Sequence, residues 1–133
     1  RTFLALFWLI IQKLDNFLNK LNRLKLLKID VEGMEISVIK GASELIKKFR
    51  PMIYVENDRQ EHSKELIELL WSLDYKMYWH LPKLYNENNF FNDKENIFGN
   101  IVSVNMFCIH KDSNIKILDM TEVLDSSFHP MKR

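Results

Sequence analysis

A single cysteine, Cys108, stands in the chain, so no disulfide can close within it and no cysteine metal cluster can form. Cys108 lies inside the apolar stretch 102–109, where a buried, inert thiol is expected. Neither sign of charge dominates. The 19 Lys and Arg against 18 Asp and Glu leave a net +1, which makes no electrostatic case for nucleic acid or an anionic membrane. The four histidines (His62, His80, His110, His129) are scattered, and none falls at the i, i+4 spacing of a helical zinc site. A long apolar run is missing too. Residues 3–11 form an unbroken apolar run of nine, whereas a spanning helix needs about 20. Gln12-Lys13-Leu14-Asp15 follows without a small-residue cleavage site, so a secretory signal is not expected. A helix or strand packed on a core is the ordinary reading of residues 3–11, and a remnant of something longer is the other. A cytoplasmic protein without a membrane span is expected.

What is present suits one globular domain. The chain has 133 residues, 47% hydrophobic and 28% charged, and disorder is expected only at its ends. Leu14, Phe17, Leu18, Leu21 and Leu24 recur at helical spacing. Leu26-Leu27-Lys28-Ile29-Asp30-Val31 is short, mostly apolar and ended by Gly33, which predicts a buried strand running into a turn. Val38, Ala42, Leu45 and Phe49 form a helical stripe over 34–49, with Gly41 weakening its middle. One long helix and two short ones meeting at Gly41 both satisfy that pattern. Arg50-Pro51 ends it, because the residue before proline is pushed out of helical geometry.

Met52-Ile53-Tyr54-Val55-Glu56 predicts a second strand. Ser63 is placed to cap a helix with the stripe Leu66, Leu69, Leu70 and Leu73. A third strand is expected over 75–79 and a fourth over 101–109. Between them, residues 80–100 have no period and are rich in asparagine, and a loop of that length is usually functional. The tail from Lys111 has one weak strand-like patch at 115–118 and is expected to be loosely held. Strands separated by helical crossovers imply an α/β fold with a parallel sheet. The last pair, joined by a loop without a helix, permits an antiparallel final strand.

Ligands of open α/β sheets gather beyond the carboxyl ends of the strands. Asp30 and Glu56 sit at two such ends, 26 residues apart, which suits neighbouring strands joined by a crossover. With strands about 4.8 Å apart, both carboxylates can face one ligand. Glu32 and Glu35 lie in or just after the same turn, where the helix dipole alone favours acids. Asp30 ends an apolar strand, where burial without a partner is costly. Asp30, Glu32 and Glu35 together also invite a metal reading, although their spacing does not match a calcium loop.

Three separated blocks, KIDVEGMEISVIKGA (28–42), RPMIYVE (50–56) and YWHLPKLYNENNFFNDKENIFGNIVSVNMFCI (78–109), resemble FkbM-type methyltransferases in the right order. The likeness runs over 14–110, with residues 1–13 outside it and 111–133 as a tail. It implies a Rossmann-like methyltransferase sheet of which only the C-terminal half, strands four to seven, is present. It also implies transfer of a methyl group from S-adenosylmethionine to a hydroxyl of a sugar or another secondary metabolite. On that resemblance Asp30 and Glu56 are the candidate catalytic acids, Asp30 beside the sulfonium and the acceptor. Glu32, His80, Asn89 and Asn105 are the candidates for binding the acceptor.

The resemblance also shows what is lacking. A glycine-rich turn would receive the methionine end of the cofactor, yet Gly33, Gly41 and Gly99 are the only glycines and make no G-x-G pattern. No cofactor-binding residue can therefore be named, and weak or no cofactor binding by this chain is expected. The readings are an O-methyltransferase present as a fragment, a catalytically inactive remnant or interaction module, and a metal-dependent enzyme built on the acids around Asp30. A half sheet would expose an edge through which copies can associate.

Overall fold

The computed structural model describes residues 12–131. The apolar run 3–11 lies outside them. Within them, β1 (Leu26–Ile29), α1 (Glu35–Lys40), α2 (Ser43–Phe49), β2 (Met52–Glu56), α3 (Gln60–Ser72), β3 (Tyr75–His80), β4 (Asn105–His110) and β5 (Thr121–Glu122) follow one another. The strands make one open sheet in the order β1-β2-β4-β3-β5. β1 and β2 are parallel, while β4 runs antiparallel to both β2 and β3. The chain is thus mixed α/β; the strand reached through the long loop runs antiparallel to both neighbours, and the short β5 is antiparallel to β3 as well.

Alternation along the strands divides the sheet into two faces. Ile29, Ile53, Val55, Tyr75, Met77, Trp79, Met106 and Cys108 point to the buried side, where Ile39, Ala42 and Ile46 from the α1–α2 region and Leu66, Ile67 and Leu70 of α3 complete the core. The opposite face carries Lys28, Tyr54, Glu56, Lys76, Tyr78, His80 and Phe107, all exposed or half-buried. The three α-helices among the described residues therefore serve one face. The other is polar and aromatic at the carboxyl ends of β1 and β2.

Several elements differ from the sequence expectation for identifiable reasons. The helix predicted over 14–24 is a single 3-10 turn, Leu14–Phe17. Asn16, Asn19 and Asn22 favour turns over helix interiors, and Asp15 is used elsewhere. Its amide donates to Gly41 O at 3.0 Å, and its carboxylate accepts from the amides of Glu44 and Leu45 at 3.2 and 2.9 Å. Ala42, at the N-cap of α2, has no capping side chain. Asp15 therefore satisfies amides that the helix leaves without partners.

Of the two readings of 34–49, two helices meeting at Gly41 is the one adopted. A Cβ on Gly41 would lie 3.3 Å from Ser37 O, so glycine permits that close junction. Arg50 ends α2 in the left-handed region at φ 46°, its amide bonded to Ile46 O. Ser63 is not the cap of α3. The helix starts at Gln60, and Ser63 is buried in its first turn, accepting from Asn57 Nδ2 at 3.0 Å.

β4 begins at Asn105, four residues later than expected. Residues 101–103 instead pair with 82–84 at the base of the long loop, through Ser103 N to Pro82 O and Leu84 N to Ile101 O. No strand forms over 115–118; the short β5 pairs with β3 instead. The tail is also held more firmly than its composition implied. Val123 and His129 are buried, and His129 Nε2 donates to Asn57 O at 2.8 Å. Among the described residues, no helix is long and apolar enough to cross a membrane.

Candidate functional site

The register extends one row past β1. Ile29 lies opposite Val55, Glu56 opposite Asn105, and His80 opposite Asn105. Asp30, Glu56, Asn105 and His80 therefore form one row across the end of the sheet where β1, β2 and β3 terminate. Three carboxylates meet there. Asp30, Glu32 and Glu56 each offer an oxygen within 4.8 Å of the others.

The environments of the three differ. Asp30 is exposed rather than buried, with its Oδ2 2.7 Å from Lys28 Nζ. The burial cost expected for Asp30 does not arise, because the strand stops at Ile29 and the side chain turns to solvent beside a cation. That hydrogen bond and the charge of Lys28 hold the Asp30 carboxyl below its ordinary range. Glu32 sits in the left-handed region at φ 53°, followed by Gly33 at φ 94°. Its carboxylate accepts from Arg59 Nη2 at 3.0 Å.

Glu56 is half-buried, and its Oε2 is enclosed without a hydrogen-bond partner among the described residues. Desolvation first, then the negative charges of Asp58, Asp30 and Glu32, push its carboxyl above the ordinary range. Two adjacent acids thus have their proton affinities driven apart, the arrangement that divides base from acid in many active sites. Asp30 is the one held ionised; Glu56 is the easier to protonate.

Glu35 does not join this group. It is buried at the start of α1, where its Oε1 accepts from the Gly33 amide at 3.0 Å and steadies the turn. The acids that gather are Asp30, Glu32 and Glu56, so the set Asp30, Glu32 and Glu35 taken from sequence is corrected in its last member. Lys28 and Arg59 already balance two of the three charges.

Of the remaining candidates, His80 and Asn105 lie in the row and Asn89 does not. Asn105 is buried and donates to Ser103 Oγ at 2.8 Å. His80 Nδ1 is 2.8 Å from the Tyr54 hydroxyl. Asn89 braces its own loop, donating to Asn86 O and Asp93 O and accepting from the Asp93 amide. The asparagines of this loop serve mainly as turn formers, with Asn86 and Asn96 accepting from amides two residues on. A cavity of about 300 Å³ adjoins the row, lined by Glu56, Asp58, Leu84, Val102, Val104 and Met131 among others.

Sequence reasoning missed Lys28, Tyr54 and Arg59. The signal for the first two was available. Lys28 is two residues before Asp30 and Tyr54 two before Glu56, so strand alternation puts each on the face of its acid. Arg59 carried no such signal, because its meeting with Glu32 depends on how the loop after β2 folds back.

Residues 11–77, about half of the chain, match the family model described as Methyltransferase FkbM domain. No curated protein and no solved structure matches the chain.

Proposed function

The chain belongs to the FkbM methyltransferase family, and from that premise we propose that it forms the acceptor side of a Rossmann-like domain that methylates a hydroxyl oxygen. The observation that carries the reading is the pairing of Asp30 and Glu56 at the ends of two parallel strands, with opposed proton affinities. The order β1-β2-β4-β3, with its antiparallel strand between β2 and β3, supports reading these strands as four to seven of the family sheet. On this reading the outer edge of β1 is where the rest of the domain, or a second copy, would pair.

S-adenosylmethionine is the methyl donor that the family implies, and its sulfonium supplies an activated methyl carbon. The residues present do not fit most of that group. Gly33 and Gly99 border open space, but neither belongs to a G-x-G turn that could receive the methionine end. The three carboxylates suit the neighbourhood of a cationic centre, but they leave the methionine and adenosine ends without partners. The roles of this chain's own residues follow without the donor. Asp30, held ionised by Lys28, accepts the hydrogen of the acceptor hydroxyl and takes its proton as the oxygen reacts. Glu56 and His80 orient the acceptor's remaining polar groups, and Asn105 braces the row. A small molecule or glycan with adjacent hydroxyls suits this set best, because Asp30, Glu56 and His80 can each take one oxygen or hydroxyl.

The test is transfer from methyl-labelled S-adenosylmethionine to a panel of sugars and polyols, with the chain alone and joined to the glycine-turn half of another family member. Label should move to a hydroxyl in the joined protein and fall at least about a hundredfold in Asp30→Asn, the lower range for a lost general base. Unchanged transfer in Asp30→Asn removes Asp30 from the reaction. Calorimetric titration of the chain alone should show weak or no cofactor binding, and micromolar affinity would overturn the assignment of the cofactor half to residues outside this chain.

A further inference from the structure

Tyr54 and His80 do not belong to neighbouring strands. β4 lies between β2 and β3, so about two strand spacings, roughly 10 Å, separate their backbones. Their side chains nevertheless meet above β4, with the hydroxyl 2.8 Å from Nδ1 and the rings edge to face at 5.7 Å. Phe107, opposite Tyr54 in the register, packs beside the tyrosine ring at 6.5 Å and limits its movement. The contact is therefore built across three strands.

From this geometry we propose that Tyr54 is a positioning residue that fixes neutral His80 as the Nε2–H tautomer, making His80 a hydrogen-bond donor at the end of the sheet. A neutral imidazole has one N–H and one bare nitrogen, and the bond made by one nitrogen decides the state of the other. A phenol is a strong donor and a weak acceptor, whereas a bare imidazole nitrogen is a strong acceptor. The hydroxyl proton has no competing acceptor among the described residues, so it points to Nδ1. Burial raises the proton affinity of Tyr54 further, which keeps the donor in place.

The proton of His80 then resides on Nε2, which makes no hydrogen bond among the described residues and is not enclosed. Its consequence for chemistry rests on the reading of Asp30 and Glu56 given above. A histidine held as a donor does not compete with Asp30 for the acceptor's proton. It offers an N–H to an oxygen of the acceptor instead, so the ligand that suits it presents a hydroxyl or ring oxygen beside the hydroxyl that reacts.

Nitrogen NMR of the histidine-labelled full chain, at a pH above the imidazole range, reads the tautomer directly. His129 is an internal standard. Its Nε2 donates to a carbonyl and its Nδ1 accepts from the Met131 amide, so its tautomer is fixed from both sides. His80, assigned by its loss in His80→Gln, should show the same pattern as His129, with a protonated Nε2 and a bare Nδ1. Tyr54→Phe should shift His80 toward a mixture of tautomers while leaving His129 unchanged. An Nδ1–H or averaged pattern in the unaltered chain overturns the proposal on its own, even if the variant does not fold. An unchanged His80 pattern in folded Tyr54→Phe overturns it as well. In the joined methyltransferase, Tyr54→Phe should raise the acceptor KM about tenfold, the equivalent of one good hydrogen bond. Absence of any methyl transfer would sink the functional reading while leaving the tautomer result standing.

Discussion

Asp30, just past the end of β1, and Glu56, the last residue of β2, stand side by side, yet one is exposed beside Lys28 and the other holds an enclosed oxygen without a hydrogen-bond partner among the described residues. The parallel register brings them together, and the end of β1 at Ile29 lets only Asp30 turn to solvent. Their different proton affinities follow from that asymmetry.

Glu56 should impose a pH dependence on stability. Because its carboxyl is raised in the folded chain, the native state binds a proton that the unfolded state has already released. Its contribution favours folding below the ordinary glutamate range and is lost as pH rises through the raised native value. Glu56→Gln should therefore stabilise the chain near pH 7 by up to about 1 kcal/mol, a gain that shrinks toward pH 4. Urea unfolding at both pH values measures it. An equal loss of stability at each would mean that the carboxylate is satisfied in solution.

Half-buried Asp15 should prove more important to stability than its place near the start of the described residues suggests. Its carboxylate accepts the amides of Glu44 and Leu45 from about thirty residues away, capping α2 and tying the first turn of the described chain to it. Asp15→Ala should cost about 1–2 kcal/mol in chemical unfolding, within the range for lost caps, and Asp15→Asn should retain part of it. A cost under a few tenths in Asp15→Ala would show that water replaces the cap.

Cys108 should be silent in the native state. It is fully buried in the core, and burial pushes its thiol well above the ordinary range. An aromatic disulfide reagent should modify it only at the rate of unfolding, with full reaction in denaturant. Rapid labelling of the folded chain would mean that β4 opens locally.

The strands and the two acids at their ends were legible because period-2 alternation and a terminal acid are local features. The strand Met52–Glu56 coincides with its expected bounds to the residue. The helical split at Gly41 stays open in the sequence, because only packing decides it. The spurious helix over 14–24 shows the limit of periodicity. Its leucines have the right spacing, but Asp15 and its neighbours take their geometry from α2 and Gly41, which lie far away in sequence. Arg59 on Glu32, Tyr54 on His80 and His129 on Asn57 escaped for the same reason, since each joins residues at least 26 apart. Asn89 was misleading in the opposite sense, as a side chain rich in hydrogen-bonding groups satisfied by the turn around it.

The position of β4 has a consequence for how the protein is made. β2 and β3 emerge from the ribosome well before β4, yet they have no contact as neighbouring strands until β4 enters between them. A nascent chain that has reached His80 can pair β1 with β2, but it leaves β3 with α3 as its nearest support. The Tyr54–His80 contact must wait for the strand beneath it. Long-range pairings of this kind close slowly and leave strand edges open meanwhile, so chaperone dependence during synthesis should be set by when residues 105–110 arrive.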